Sequence, residues 1–420
     1  MSVIGVSQQG AAERALDQSQ WRRLQLQLTY LNERIPYYQK LFKEHDFEPN
    51  EIDPREPLKG LPSLYKSTVR ANAILFRNQR ILSTHGSLSS GSTGEPFKSE
   101  FDPKTWYRRK YISKYWERAK LGMLPLKKTA LLECIETREL KSRNRKTALL
   151  WPFLRMRTFS VYEDPTTLVS ELSRYQPATL CGYPGNLVSL AQHIESSGAQ
   201  ACSPNQIFTS SELLSTASRN LIESVFNAPV YDHYGCTEFK EVAWQCRHRD
   251  AYHINTDEVY VEILNTAADH ALDEQAGEII ITDLRNKAMP LLRYHTGDKG
   301  YWVESCKCGG KGPHLKLVVG RSSDQLIQSN GEPTSPYRIT TFIEQFTQIS
   351  QFQLVQRVPG RVELNTVWRS LTSAFDQAEV AQKLSTLNDA NMSIELNIHK
   401  RIEPEKNGKT PVLIQHLKAT

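Results

Sequence analysis

Between Thr129 and Asp232 the chain alternates short apolar runs with amphipathic stretches, and few folds accept that order. Ala130-Leu131-Leu132 and Ala178-Thr179-Leu180-Cys181-Gly182-Tyr183 read as buried strands. Leu187 to Ile194 reads as the helix after the second of them. Gln206 to Ser210, Leu213 to Phe226 and Pro229 to Asp232 then repeat strand, helix, strand. This alternation predicts an α/β fold with parallel pairing. In such sheets, ligands bind in polar loops at the carboxyl ends of the strands.

The flanks read differently. Ala11 to Phe47 carries apolar residues at helical spacing, and Pro36 must interrupt or end the helix. Pro49, Pro54, Pro57 and Pro62 make Glu48 to Leu64 an extended wrapping segment. Trp106 to Leu121 is aromatic and basic, a predicted helix with its ring face buried. From Tyr252 to Asp283, apolar runs follow one another without a clear helix between them, which predicts antiparallel strands. After Gly320, five segments ending at Ile398 predict a short α+β module, with a boundary near Asp324. The expected fold class is therefore α/β. A large N-terminal domain, residues 1–323, holds mixed sheets and helices plus a small antiparallel sheet or barrel, and residues 324–420 form a small α+β C-terminal domain. There is no internal repeat and no low-complexity segment.

Composition agrees with this and narrows the partners. A chain of 420 residues is long enough for two or more domains at about 150 residues each. The hydrophobic fraction of 39% and charged fraction of 23% permit a sizeable core. The net charge of +6 is spread along the chain. The runs Arg108-Arg109-Lys110 and Lys141-Ser142-Arg143-Asn144-Arg145-Lys146 read as solvated faces, so no nucleic-acid partner is expected. No apolar leader is visible, and no apolar run approaches the ~20 residues of a membrane span. Seven cysteines, an odd number without a secretion signal, make a reduced, cytoplasmic protein the expectation.

Chemistry enters with Ser89-Ser90-Gly91-Ser92-Thr93-Gly94, four hydroxyls and two glycines in succession. Backbone N–H groups in such a turn can form an anion-binding concavity, and the hydroxyls add donors. Alone, the stretch fits a phosphate clamp or a polar surface turn. No Gly-Lys-Ser/Thr closes it, which excludes a Walker loop. Four further stretches carry similar composition. Tyr231-Asp232-His233-Tyr234-Gly235-Cys236-Thr237-Glu238 ends a predicted strand with a carboxylate suited to Mg²⁺ beside phosphate oxygens. Leu292 to Asp298 places a loop carboxylate that could accept both hydroxyls of a ribose. Gly320-Arg321-Ser322-Ser323-Asp324 falls at the proposed boundary. Glu405 to Pro411 is a glycine turn presenting Lys409.

Together and in this order, the five stretches resemble the adenylate-forming superfamily of acyl-CoA ligases, adenylation domains and luciferases. The resemblance covers roughly Ser83 to the end of the chain. Asn32-Glu33-Arg34-Ile35-Pro36-Tyr37-Tyr38 and Cys181-Gly182-Tyr183-Pro184-Gly185-Asn186-Leu187 look most like its phenylacetate–CoA ligase branch. The resemblance implies that a carboxylate attacks the α-phosphorus of ATP, giving an acyl-adenylate and pyrophosphate. A nucleophile, often the thiol of coenzyme A, then displaces AMP. It implies that Ser89, Ser90, Gly91, Ser92, Thr93 and Gly94 hold the β- and γ-phosphates, Thr237 contacts the α-phosphate, and Glu238 binds Mg²⁺. Asp298, helped by Arg321, would take the ribose, and Tyr234 would stack near adenine. Nucleotide contact extends to Ser211, Glu212, Asp232, His233 and Gly235. Lys409 would bridge the carboxylate and the α-phosphate, and Asp324 would be the hinge of a mobile C-terminal domain. Three departures from the family pattern stand out: His295 replaces an arginine, Ser211-Glu212 replaces Gly-Glu, and Lys98 lies two positions after Pro96.

The resemblance leaves two alternatives. The acyl group could pass to an amine or a carrier-protein thiol in a biosynthetic pathway, or the chain could be an inactive nucleotide-binding homologue. The expected partners are a small carboxylic acid and coenzyme A or another acceptor, and the branch suggests a homodimer. Cys306-Lys307-Cys308 and Cys246 with a nearby histidine suit tetrahedral Zn²⁺. Relatives on this branch with a structural zinc support Cys246, His253, Cys306 and Cys308, with His248 the rival for the histidine place. Cys134, Cys181, Cys202 and Cys236 read as buried or incidental.

Overall fold

The structure, a computed structural model, describes residues 16–88, 98–122, 127–136, 139–142, 144–145, 155–264, 276–321, 326–334, 336–343, 345–346, 348–369, 374–388, 390–405 and 409–417. Ser89, Ser90, Gly91, Ser92, Thr93, Gly94 and Asp324 lie outside the described residues, as does the side chain of Arg321. The chain forms two compact units. One comprises 1–113, 236–243 and 250–317, and the other 114–235, 244–249 and 318–420.

In the first unit the N-terminal helix breaks where proline requires it. Helix α1 (Gln18–Arg34) ends at Ile35, and Pro36 opens α2 (Pro36–Glu44), where a missing N–H costs nothing. The Asp17 side chain caps α1 by accepting from the Gln20 N–H at 2.8 Å. Leu24, Leu28 and Leu31 repeat on one face and are wholly buried, each contributing about 2 kcal/mol. The short α3 (Lys66–Ala71) is followed by a hairpin of β1 (His85–Leu88) and β2 (Lys98–Phe101), then α4 (Pro103–Tyr107). A π-helical segment, Arg108–Ser113, completes this part. The predicted helix over 106–121 is thus a continuous helical run with a π segment inside it, but its rings are not all buried as expected: Tyr107 and Trp116 are exposed.

The strands of this unit run in the order β10 (Val259–Leu264), β11 (Gly277–Asp283), β12 (Tyr294–Val303), β13 (His314–Arg321), β9 (Tyr252–Ile254), β8 (Lys240–Gln245). The pairs β10–β11, β11–β12 and β13–β9 are antiparallel, as the sequence predicts for this region. Side chains of α1 and α2 stitch onto the sheet. Gln20 donates to the Val259 carbonyl and Gln27 to that of Asn286. The buried Tyr38 hydroxyl donates to the Pro290 carbonyl and accepts from the Leu292 N–H.

The basic run at Arg108 requires a correction. Arg109 is wholly buried, not part of a solvated face. It donates to Glu258 at 3.0 Å and, through two nitrogens, to Asp283 at 2.9 and 2.8 Å. Arg108 and Arg285 also pair with Glu258. Burial of a guanidinium is tolerated because these carboxylates satisfy its planar donors.

The second unit holds the predicted parallel sheet. Its strand order is β7 (Val230–Cys236), β6 (Gln206–Ser210), β5 (Thr179–Gly182), β3 (Thr129–Glu133), β4 (Met156–Ser160), parallel at each pairing. Helices α6 (Pro165–Tyr175), α7 (Pro184–Ser197) and α8 (Thr216–Phe226) pack a core of Leu180, Leu187, Ile207, Leu221 and Val230. Asp164 and Ser215 cap α6 and α8 by accepting N–H groups three residues on. The opposite face presents Cys181, Phe208 and Tyr231 in a separate cluster. Helix α5 (Lys114–Lys120) lies over it, its Arg118 guanidinium 4.9 Å from the Phe208 ring centre.

The C-terminal part of this unit is a second sheet in the order β18 (Ser393–His399), β17 (Arg361–Trp368), β16 (Ile349–Val358), β19 (Leu413–Gln415). It carries α9 (Tyr337–Ile343) and α10 (Ala374–Ser385), and a small pair β14 (Leu326–Ile327) and β15 (Pro333–Thr334) precedes it. Its own core includes Leu326, Ile343, Leu354, Leu364 and Leu384. Polar bonds dock it on α7 and α8. Gln192 donates to Ser350 Oγ at 2.7 Å, Ser218 Oγ donates to the Ser350 carbonyl at 3.0 Å, and Arg369 reaches Glu195 and Ser224.

Candidate active site

In the first unit, two of the motifs that are far apart in sequence meet. Tyr294 Oη, at the start of β12, donates to Glu238 Oε1 at 3.0 Å. Lys66 Nζ of α3 lies 3.7 Å from the same oxygen. Glu238 is buried, so a hydroxyl and an ammonium hold its charge where water does not reach. The Cys236 thiol is pushed well up by burial, and by Glu238 and Asp298 facing it. Glu238 and Asp298 thus both act on the same thiol, with Thr237 half-buried between Cys236 and Glu238 in the chain. Asp298 is oriented by its own N–H, which donates to Thr296 Oγ1 at 3.1 Å, while that hydroxyl donates to the Ile279 carbonyl.

His295 has a defined setting. Its Nδ1 lies 2.7 Å from Glu278, its Nε2 lies 2.7 Å from Ser63 Oγ, and its ring stacks on Tyr65 at 4.0 Å. Burial lowers its pKa despite Glu278. The imidazole is thus a bracket between β12 and the residues just before α3; the stretch 48–64, expected to be extended, is instead mostly turns and bends over 49–60. Backbone bonds Leu64 N–H to Arg293 O and His295 N–H to Leu64 O reinforce the same junction.

In the second unit, the carboxyl ends of β5, β6 and β7 carry the remaining candidates. Asp232 is buried, its carboxylate accepting the Thr209 hydroxyl at 2.5 Å. His233 pairs with Ser210 in the β7–β6 register, and its Nδ1 lies 3.4 Å from Glu117 of α5. Phe208 meets the His233 ring edge to face at 5.4 Å. Tyr234 is buried and Gly235 half-buried. Ser211, just after β6, takes a left-handed φ of 72°. Its carbonyl accepts from Lys409 Nζ at 3.3 Å, and that ammonium lies 5.6 Å from the Tyr183 ring centre. The C-terminal lysine is thereby brought to the carboxyl end of the parallel sheet. Burial raises the Tyr183 phenol to about 12. Sequence reasoning missed Lys66 and Glu117, whose partners lie 172 and 116 positions further on (238 − 66 and 233 − 117). No local pattern marks them.

The zinc candidates divide between the units. His253, Cys306 and Cys308 belong to the first, and Cys246 and His248 to the second. The ligand atoms of His253, Cys306 and Cys308 lie within 4.8 Å of one another. His253 Nε2 is 3.5 Å from Cys308 Sγ. Zn–S and Zn–N bonds of ~2.3 and ~2.0 Å at a tetrahedral angle set S and N about 3.5 Å apart, so this pair fits the ion. The Gly310 N–H donates to Cys308 Sγ at 3.2 Å, and the His248 N–H to Cys246 Sγ at 3.4 Å. A Cβ on Gly310 would sit 3.1 Å from both Cys308 Sγ and the His253 ring, so that turn admits only glycine without adjustment. Cys181 and Cys202 are buried, and Cys134 and Cys236 half-buried.

No family model matches the chain. Phenylacetate-coenzyme A ligase of Thermus thermophilus is 25% identical over 364 residues, covering 83% of this chain and 79% of that protein. Protein CapK of Staphylococcus aureus is 21% identical over 408 residues, covering 93% and 87%. A crystal structure of 2-hydroxyisobutyryl-CoA ligase in the postadenylation state, with R3-HIB-AMP, matches at a TM-score of 0.74 and 19% identity, covering 97% of this chain and 90% of that one. In fold and in sequence the chain is similar to the adenylate-forming superfamily. Within it, the likeness is to the phenylacetate–CoA ligases.

Proposed function

We propose that this chain activates a carboxylic acid with ATP and transfers the acyl group to coenzyme A. The seat of Lys409 at the carboxyl ends of the parallel strands carries the reading. An ammonium there stands where the acid's carboxylate and the α-phosphate would meet. In the first step a carboxylate oxygen attacks the α-phosphorus, and the bond to pyrophosphate breaks. Lys409 offsets the charge that gathers on the oxygens. In the second, the thiol sulfur attacks the acyl carbonyl, AMP leaves, and the thiol proton passes to solvent.

The roles follow the motifs. Ser89 to Gly94 hold the β- and γ-phosphates, Thr237 the α-phosphate, and Asp298 with Arg321 the ribose. Ser211, Glu212, Asp232, His233, Tyr234 and Gly235 border the nucleotide. Glu238 holds Mg²⁺, which supplies charge neutralisation to the phosphates. Asp324 is the hinge between 1–323 and 324–420, so that Lys409 withdraws before thioester formation. Cys246, His253, Cys306 and Cys308 hold a structural zinc, supported by the 3.5 Å separation of His253 and Cys308. The protein is cytoplasmic and a homodimer in this reading.

Acid-dependent ATP–pyrophosphate exchange, then AMP formation that requires coenzyme A, test the reaction. Absence of exchange across a broad panel of acids overturns it. AMP formation indifferent to coenzyme A overturns the acceptor alone.

A further inference from the structure

Glu212 has an arrangement that nucleotide binding does not require. Its Oε2 accepts the Gly185 N–H, in the first turn of α7, at 2.8 Å. Its Oε1 accepts the Thr410 N–H, also at 2.8 Å. One carboxylate thus joins the end of the parallel sheet to the residue after Lys409. The junction is close: a Cβ on Gly185 would lie 2.8 Å from Thr410 Oγ1 and 3.1 Å from Glu212 Oε2. Glycine is what lets the two segments approach.

We propose that Glu212 is a positioning residue, a latch that seats the Lys409–Thr410 segment for the acid-activating step. The proposal rests on the acyl-adenylation reading for the use it gives Lys409. Two N–H groups on two oxygens of one carboxylate fix both distance and orientation, and charged acceptors make the stronger bonds. With Thr410 held, the ammonium of the preceding residue reaches the Ser211 carbonyl and lies over the Tyr183 ring. Burial pushes the Glu212 carboxyl up to about 7, against the opposing pull of both N–H groups and Lys409. The other titratable groups facing it are Tyr183 and Cys134. A latch this poorly solvated is held by its partners, and it loosens when they are removed.

Two variants of the full chain test this. Glu212→Gln keeps one acceptor oxygen and turns an NH₂ toward the second N–H. Gly185→Ala leaves Glu212 intact and crowds Thr410 with a methyl group. Hydrogen–deuterium exchange of the peptide covering residues 409–417 is expected to speed up about ten-fold in each, as for the loss of one bond to a charged group. The ratio of acid-dependent ATP–pyrophosphate exchange to thioester formation from synthetic acyl-adenylate and coenzyme A should fall about ten-fold in both. Unchanged exchange in both folded variants overturns the latch, as does an equal fall in both half-reactions. A wild-type chain with no pyrophosphate exchange removes the adenylation reading instead, and hydrogen exchange then still decides whether Glu212 holds the segment.

Discussion

Two buried charge networks in this molecule use the same chemistry and achieve opposite ends. Around Arg109, three guanidinium bonds run to Glu258 and Asp283, and Arg108 and Arg285 share Glu258. Every side-chain partner is charged and sits on a regular element or in the turn beside one. Around Glu212, one carboxylate faces two neutral N–H groups and an ammonium that lies beside the Ser211 carbonyl and an aromatic ring. Saturation by opposite charge makes the first a fixed rivet. The sparse, mostly neutral partners of the second make a contact that can open. A charge buried for stability is surrounded, whereas a charge buried for gating is only propped.

The largest effect should come from breaking the rivet. Arg109→Met leaves Glu258 and Asp283 buried without their main partner and should cost about 3–5 kcal/mol of unfolding free energy. Urea denaturation measures this, and a loss below about 1 kcal/mol would show that the carboxylates simply reprotonate. Lys409→Ala should lower the acid-activating half-reaction by about 10²–10³-fold, the scale of removing one preorganised charge from a transition state. Thioester formation from supplied acyl-adenylate should persist, and an equal loss in both steps contradicts the assignment. Tyr38→Phe removes a hydroxyl that serves the Pro290 carbonyl and the Leu292 N–H, and should cost about 1–3 kcal/mol by the same denaturation assay.

A further effect concerns pH. Glu212 is raised from 4.5 to about 7 in the folded chain. The folded state therefore binds this proton more tightly than the unfolded state. The stabilising contribution is complete below the unfolded value and disappears as pH rises through about 7. The stability of the wild type relative to Glu212→Gln should accordingly decline from about pH 5 to about pH 8. A flat difference would mean that the carboxyl is better solvated than its surroundings indicate.

Much of the fold was legible because it follows from local pattern. Apolar runs broken by helical stretches specify β3, β5, β6, β7 and their helices, and Pro36 marks the break between α1 and α2. Strand β4, Met-Arg-Thr-Phe-Ser, escaped because its polar residues hide a strand that is buried only over its last three positions. The π segment at Arg108–Ser113 escaped because helical periodicity does not separate i+4 from i+5 bonding over six residues. In the site, Glu238, the Tyr294–Asp298 stretch and Lys409 were visible as motifs. The Arg109 network was misread because its carboxylates lie 149 and 174 positions away. Glu212 was visible as a residue, but its bonds to Gly185 and Thr410 belong to tertiary structure alone.

Strand β19 starts four residues after Lys409, and the chain is already clamped before it begins. Gln353 donates to the Pro411 carbonyl at 3.0 Å and the Leu354 N–H to that of Val412 at 2.7 Å, both from β16. Pro411 lies only two positions after Lys409, a tether of about 7 Å at full extension. The ammonium is therefore tied to the C-terminal sheet. Under the proposed function, chemistry at the α-phosphate and the placement of that sheet would share one clock, and any ligand that slows the sheet would also set how long the lysine stays.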